Sequence, residues 1–378
     1  MTCLLMLSPA PVVEAPGHEV LLDVDFVEEM KLRCQFWPGP VRCVMRRGAG
    51  RVPGGGLFSL RRQGFDLVVL DPDEPLPEAL IDEASLVCCS ADDTRNLALA
   101  ERMKGKQTRL VYTLEGPPGL RLAGALGDGQ RQHRRQLCAA LRAADGLQFH
   151  GLAVPPAYRR LHRDALCFLD SRLRTPMLSR AHDQEARAER LLARAPLTLA
   201  HIGPLEPETG VSDLMQVAHL LHRHGMDFRL FLHGEGSLAE MLRGDIAARG
   251  LAGRVSLAGG AAFEARRAPW LRQEADLLLS PRHDMHPAPV YIEAMGCGVP
   301  VLGYANPMWR RLQVASAGGW VSRRGSIPAM AQALLRLDEE REAVVRASES
   351  ALAFARLHTF ERDFASRMMH LRAVAGME

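Results

Sequence analysis

Lysine is almost absent from this chain: Lys31, Lys104 and Lys106 stand alone among 47 basic residues, the rest being arginine. A strong excess of one charge is missing too. The net charge of +3 over 378 residues falls far short of the basic face that a nucleic-acid binder presents. Eight cysteines are scattered from Cys3 to Cys297 without a CxxC pair or a His/Cys ligand spacing. That pattern excludes the usual structural zinc sites and gives no disulfide framework, so a reduced cytosol is the expected compartment. No apolar run approaches the roughly 18 residues of a membrane-crossing helix. The apolar start at residues 3–7 is too short for a signal-peptide core and lacks a basic leader. A cytoplasmic protein is expected, attached at most to the cytosolic face of a membrane, with no metal and no cofactor.

What is present is enough apolar material, 47% of residues against 24% charged, to bury two ordinary cores. In the first half, short apolar runs at 3–7, 41–45, 67–70, 86–89, 110–114 and 146–150 alternate with helical patterns, the rhythm of a parallel sheet covered by helices. Residues 23–36 predict a helix capped by Asp23 or Asp25 and stopped before Pro38. Residues 51–56 predict a Gly/Pro loop. A helix over 131–144 carries Arg131, Arg134, Arg135 and Arg142 on its polar face, read as solvated charge, with a peripheral membrane contact as the alternative. The rhythm stops between Arg172 and Pro196, where a charged helix over 181–194 leads to the next strand. A domain join is placed there. The expected organisation is residues 1–173 as one α/β domain, 174–196 as linker and helix, 197–356 as a second α/β domain and 357–378 as a closing helix. In the second domain the alternation repeats: strand to Ile202, helix 211–224, strand 228–233, helix 238–249, strand 255–258, helix 264–274. Both domains read as doubly wound.

The stretch from Ala275 to Tyr304 organises the rest. Two buried strands, 276–280 and 299–303, flank a short helix over 290–297 that starts at Pro289, ends before Gly298 and carries Glu293. Ligands of open parallel sheets lie at the carboxyl ends of strands, so the loop from Pro281 to Ala288 is where one is expected.

Here the chain resembles a known family. Glu293-Ala294-Met295-Gly296-Cys297-Gly298-Val299-Pro300 is similar, position by position, to the second half of the donor-site signature of GT-B retaining glycosyltransferases of family 4. In the first half the family's other acid is replaced by Met285, with Asp284 one residue out of register. Further resemblances follow in order: Ile202-Gly203-Pro204-Leu205 with Glu208-Thr209-Gly210, the Gly-rich turn His233-Gly234-Glu235-Gly236, the base-contacting turn Leu257 to Ala261, the closing elements Gly318 to Val321 and Met330 to Leu334, and a last helix from His358. They imply two Rossmann-like domains, the last helix returning to the first.

The resemblance also implies a nucleotide-sugar donor and an acceptor that the sequence does not identify: a glycan, a lipid-linked glycan or a small molecule, as in polysaccharide biosynthesis. Such an enzyme stabilises charge on a departing phosphate. Glu293 is then expected on the ribose hydroxyls. Catalysis is expected from Glu293, Arg282 and His286. The donor is expected to be held by Gly203, Thr209, His233, Gly234, Gly260, Ala261, Asp284, Met285, Val290 and Tyr291. The family's phosphate-binding Arg and Lys are replaced by Pro204 and Thr209, neither charged. Arg282, or Arg310 and Arg311, are the substitutes, and Thr209 retains one hydroxyl donor. Pro287 and Pro289 delete two amide donors from the loop. In the first domain, Ser8 to Pro11 with Gly17-His18, and Asp71, follow strands; His18 or Asp71 is the candidate to face an acceptor, a loop histidine and a turn aspartate being the ordinary alternative. A catalytically inactive partner protein is the alternative from another class. A phosphorylase on this fold needs a pyridoxal lysine, and the second domain has none.

Overall fold

The computed structural model describes residues 2–17, 19–49, 52, 55–59, 64–115, 128–162, 165–260, 263–283 and 289–377. The chain forms two compact units, Met1–Phe168 with Phe364–Glu378, and Leu169–Asp363.

The first unit contains β1 (Cys3–Ala15), β2 (Glu19–Asp23), β3 (Val41–Arg47), β4 (Gly55–Ser59), β5 (Asp66–Leu70), β6 (Ala84–Ser90), β7 (Arg109–Leu114), β8 (Gly146–His150) and β9 (Leu166–Phe168). Seven of these pair in parallel in the order β5-β3-β1-β6-β7-β8-β9. Every expected strand of this half falls within one of them. The helix Val24–Phe36 begins where Asp23 accepts from the Phe26 amide at 3.0 Å, an N-cap that satisfies one of the first turn's orphan donors.

Two stretches expected outside strands are strand in whole or in part: Ser8 to Pro11, and Gly55-Gly56 of the expected loop 51–56. Ser8 to Pro11 continues β1, with a register irregularity between Leu7 and Pro11, the kind of position where a sheet tolerates proline. Beyond it β1 turns into an antiparallel ribbon with β2, and β2 pairs in turn with Gly55-Gly56 of β4. The core gathers Leu5, Val87, Tyr112, Leu141, Leu147 and Phe149. The final helix, Phe360–Val374, enters this unit from Phe364 onward. There Phe364 meets Phe36 edge-on at 5.6 Å and Gln148 donates to the Arg367 carbonyl at 3.0 Å.

The second unit is a six-stranded parallel sheet made of β10 (Leu197–Ile202), β11 (Phe228–His233), β12 (Val255–Leu257), β13 (Leu277–Ser280), β14 (Val301–Tyr304) and β15 (Gly319–Ser322). The order is β12-β11-β10-β13-β14-β15, so the chain winds outward in both directions from the seam between β10 and β13. That seam is a topological switch point, where open parallel sheets bind ligands. Leu199, Leu230, Leu232, Leu279, Leu302 and Met330 lie in the core.

The residues expected as a linker, 174–196, are part of this unit. Within the helix Ala181–Leu192, Arg187 is 1% exposed and donates to the carbonyls of Ala275, Leu271, Arg272 and Cys297 at 2.9–3.1 Å. Burial pulls its pKa down to about 10. One guanidinium therefore fixes the ends of the two helices, Ala268–Gln273 and Val290–Gly296, that flank β13. Among the described residues no helix is long and apolar enough to cross a membrane.

Candidate functional site

The carboxyl edge of the second sheet is built from close-packed glycine turns, two of which, at Gly210 and Gly234, meet backbone. The Gly203 amide donates to the His233 carbonyl at 3.0 Å, and a Cβ on Gly234 would stand 1.9 Å from the Gly203 carbonyl oxygen. Gly210 has φ 72° and faces Pro281, whose carbonyl oxygen would lie 2.3 Å from an added Cβ. The turn after β10 and the turn after β13 thus touch backbone to backbone across the switch point. Gly260 packs beside Glu235, with an added Cβ 2.8 Å from its Oε1. The first main-chain bond of the helix Val290–Gly296 runs from the Glu293 amide to Pro289 at 3.0 Å, so the amides of Val290 and Tyr291 precede the hydrogen-bonded turns at its start.

Glu293 is 6% exposed. Burial raises its pKa, while the charges of Arg267 and Arg172 and a hydrogen bond from the Arg172 main chain work in the opposite direction. The same Arg267 helps to keep His233 neutral: burial first, then this guanidinium, lowers its pKa to about 4. The His233 ring lies 4.4 Å from that of Trp270, and its Nε2 is buried with no partner among the described residues. Arg267 closes a π-helical turn, Phe263–Arg267, which opens the helix expected over 264–274. Its buried Nε also has no partner there.

On the strand ends around β13, His201 is 2% exposed, with Nδ1 3.1 Å from the Leu279 carbonyl. Burial, and then the nearby charge of Arg282, lower its pKa to about 4, despite that hydrogen bond. Nδ1 is therefore the donor, and Nε2 is an acceptor left unpartnered among the described residues. Asn306 ties the Arg282 segment down. Its side-chain amide donates to the Arg282 carbonyl at 3.3 Å and to Tyr291 Oη at 3.2 Å, while its Oδ1 accepts from the Trp309 amide at 2.8 Å. Tyr291 Oη also pairs with Ser280 Oγ at 2.9 Å. One step further, His283 Nε2 lies 3.9 Å from Asp213 Oδ2, which accepts from Tyr304 Oη at 2.8 Å.

Of the residues the sequence singled out, Gly203, Thr209, His233, Gly234, Gly260, Arg282, Val290, Tyr291 and Glu293 lie on turns at this edge or on the helix that starts there. Thr209 requires a correction. It is 3% exposed, and its Oγ1 lies 2.7 Å from the Glu206 carbonyl and 3.0 Å from that of Pro204. Its one hydrogen closes its own turn and is not offered to a ligand. Ala261, Asp284, Met285 and His286 lie outside the described residues, as does His18. Three further contributors were not singled out by the sequence. Arg267 and His201 sit in helix and strand patterns that look ordinary, whereas Asn306 had a signal in Asn306-Pro307, a helix cap followed by proline at the first helical position. The described residues contain no cluster of His, Cys, Asp and Glu able to hold a metal.

Residues 182–353 match a family model described as glycosyl transferases group 1. A comparison with curated protein sequences finds no similar one. Among solved structures, the chain is similar to Alr3699/HepE of Anabaena in complex with UDP, with a TM-score of 0.70 at 14% identity over 99% of this chain and 100% of that one. It is also similar to sucrose-phosphate synthase (tll1590) of Thermosynechococcus elongatus, with a TM-score of 0.66 at 15% identity over 99% and 98%. WaaG, a glycosyltransferase involved in lipopolysaccharide biosynthesis, is matched at 0.58 and 14% over 99% and 100%. At these identities the likeness establishes the fold, which is GT-B.

Proposed function

We propose that the protein is a glycosyltransferase that moves a hexosyl group, with retention, from a nucleotide-sugar donor to an acceptor. The observation that carries this reading is Glu293: a buried carboxylate on the first turns of the helix after β13, within the segment that matches the glycosyl transferases group 1 model. A carboxylate so placed, eased by Arg267 and Arg172, suits the hydroxyls of a ribose, which donate to it and take part of the place of lost water. Arg282, whose charge is felt at His201, is the cation assigned to the donor phosphates, and the turns at Gly203, Gly234 and Gly260 let the nucleotide approach the backbone. The similar Alr3699/HepE structure, solved with UDP, makes uridine the first base to try. No cofactor or metal is part of the reading, and the protein is placed in the cytoplasm.

The substitutions at Pro204 and Thr209, the latter with its hydroxyl engaged, favour one other reading, a partner protein on the same fold that binds no donor. Thermal unfolding with UDP, GDP, ADP and their hexose conjugates separates the two, because a ligand in excess of its dissociation constant raises stability. At least one nucleotide is expected to raise the midpoint, with hydrolysis or transfer of its sugar. No shift with any of them, and no turnover, rules out the transferase. Arg282→Ala is expected to lower turnover by orders of magnitude without changing the midpoint of the free protein.

A further inference from the structure

The switch point between β10 and β13 is flanked by two side chains that no motif connects. Asp213 opens the helix Asp213–Arg223 that follows β10, and His283 lies three residues past the end of β13. Asp213 Oδ2 is fixed by the hydroxyl of Tyr304, which is fully buried at the end of β14. His283 stands with Nε2 3.9 Å from that oxygen and its ring tilted 45° against Tyr304 at 5.2 Å. Gly325 is also near: a Cβ there would stand 3.5 Å from the imidazole Cε1, an ordinary contact. The imidazole thus lies against Asp213 and Tyr304, and its side chain is 36% exposed. Asp213 sits at the Nε2 corner of the ring, so the Nδ1 corner is the one turned from the carboxylate. Asp213 and the neutral phenol of Tyr304 stand beside it, with Arg282 adjacent in the chain and Arg324 next to Gly325.

We infer that His283, oriented by Asp213 and Tyr304, is a donor to the diphosphate of the nucleotide, and this rests on the nucleotide-sugar reading above. The connection from β10 to its helix carries no cation, because its turn holds Pro204 and Thr209, and Thr209 is engaged by its own carbonyls. A diphosphate at the switch point carries more charge than Arg282 alone balances, so a second donor is called for. His201 cannot supply it, being buried and neutral. An imidazole beside a carboxylate, partly open and on the opposing connection, supplies a directed N–H. His283 is then a binding residue, and Asp213 and Tyr304 are positioning residues.

The test compares a nucleoside diphosphate with its nucleoside. UDP, GDP and ADP are titrated against the wild type, and the one that binds is carried forward with uridine, guanosine or adenosine to match. His283→Ala is expected to weaken the diphosphate at least about ten-fold, the loss of one charge-assisted bond, and to leave the nucleoside within about two-fold. His283→Lys is expected to recover most of that loss, and Asp213→Asn and Tyr304→Phe to reproduce part of it, again with the nucleoside unchanged. Unfolding midpoints of the free variants show that each is folded. Wild-type affinity for the diphosphate in His283→Ala overturns the inference, as does an equal loss for diphosphate and nucleoside, which marks a structural role. If the wild type binds none of the three nucleotides, the transferase reading fails and takes this inference with it.

Discussion

Gly210 and Pro281 meet so closely that a single Cβ on the glycine would stand 2.3 Å from the proline's carbonyl oxygen. One belongs to the turn after β10 and the other to the turn after β13, so this contact sets how near the two sides of the switch point approach. It is a contact of backbone with backbone, and no rotamer change relieves it.

Gly210→Ala is expected to destabilise the protein by more than the left-handed conformation alone costs, which is about 1–2 kcal/mol. Gly225 provides the control, having φ 73° with nothing within 4 Å of its missing Cβ. Denaturant titrations of the two alanine variants are expected to differ, with the Gly210 variant the weaker. Equal losses would show that the turns part without cost.

Arg187 offers a second measurement. Replacing it with methionine keeps much of the volume but strands four carbonyls that now accept its hydrogen bonds. Each buried acceptor left without its donor costs about 1–3 kcal/mol. Arg187→Lys is expected to recover little, because an ammonium lacks the planar fork that reaches several carbonyls. A methionine variant as stable as the parent in denaturant would mean that apolar packing, not the guanidinium, holds the helices beside β13.

Much of this architecture is legible in the sequence, for physical reasons that can be named. Asp23 is a cap because its carboxylate reaches the Phe26 amide. The runs at 146–150 and 228–233 are strands because a parallel sheet buries both faces, which leaves an apolar signature. What escaped is what depends on distant partners. Gly55 and Gly56 look like loop residues until β2 lies beside them, and Pro9 and Pro11 look like breakers until a register irregularity accommodates them. Leu166–Phe168 is too short for any period to register. In the site, the position of Glu293 follows from its helix, but its neighbours Arg267 and Arg172 do not, being brought there by the fold. Asp213 and His283 become neighbours only once β10 and β13 are adjacent.

Acid should unfold the protein through its buried histidines. His201 and His233 both have pKa values lowered from 6.5 to about 4, chiefly by burial. Below pH 6.5 the unfolded chain takes up protons at these sites while the folded chain does not, so stability is intact above that pH and falls as the pH drops toward about 4. For His201 alone the loss is about 3 kcal/mol at 1.36 kcal/mol per unit. His201→Phe is expected to flatten the decline between pH 6.5 and 4, measured as unfolding free energy against pH. An unchanged slope would place the acid sensitivity elsewhere.

Glu293 has the opposite sign, and this separates its role from that of an ordinary helix carboxylate. Burial raises its pKa, with Arg267 and Arg172 offsetting only part of the effect. As pH rises from 4.5 through the raised value, the unfolded chain releases this proton first. The folded state therefore loses stability over that window and stays lower above it. Glu293→Gln removes the charge, so at pH 7 the variant is expected to unfold at a higher temperature than the parent. The same change turns one acceptor into a donor and takes away the charge-assisted pair to the ribose. Such bonds are worth about 1.5–3 kcal/mol, about one to two decades in affinity, so the nucleotide that stabilises the parent is expected to bind the variant 10- to 100-fold more weakly by that scale. Gain of stability with loss of binding marks a residue kept for a ligand at the expense of the fold. A variant that is more stable and binds every nucleotide as tightly as the parent would remove Glu293 from the donor site.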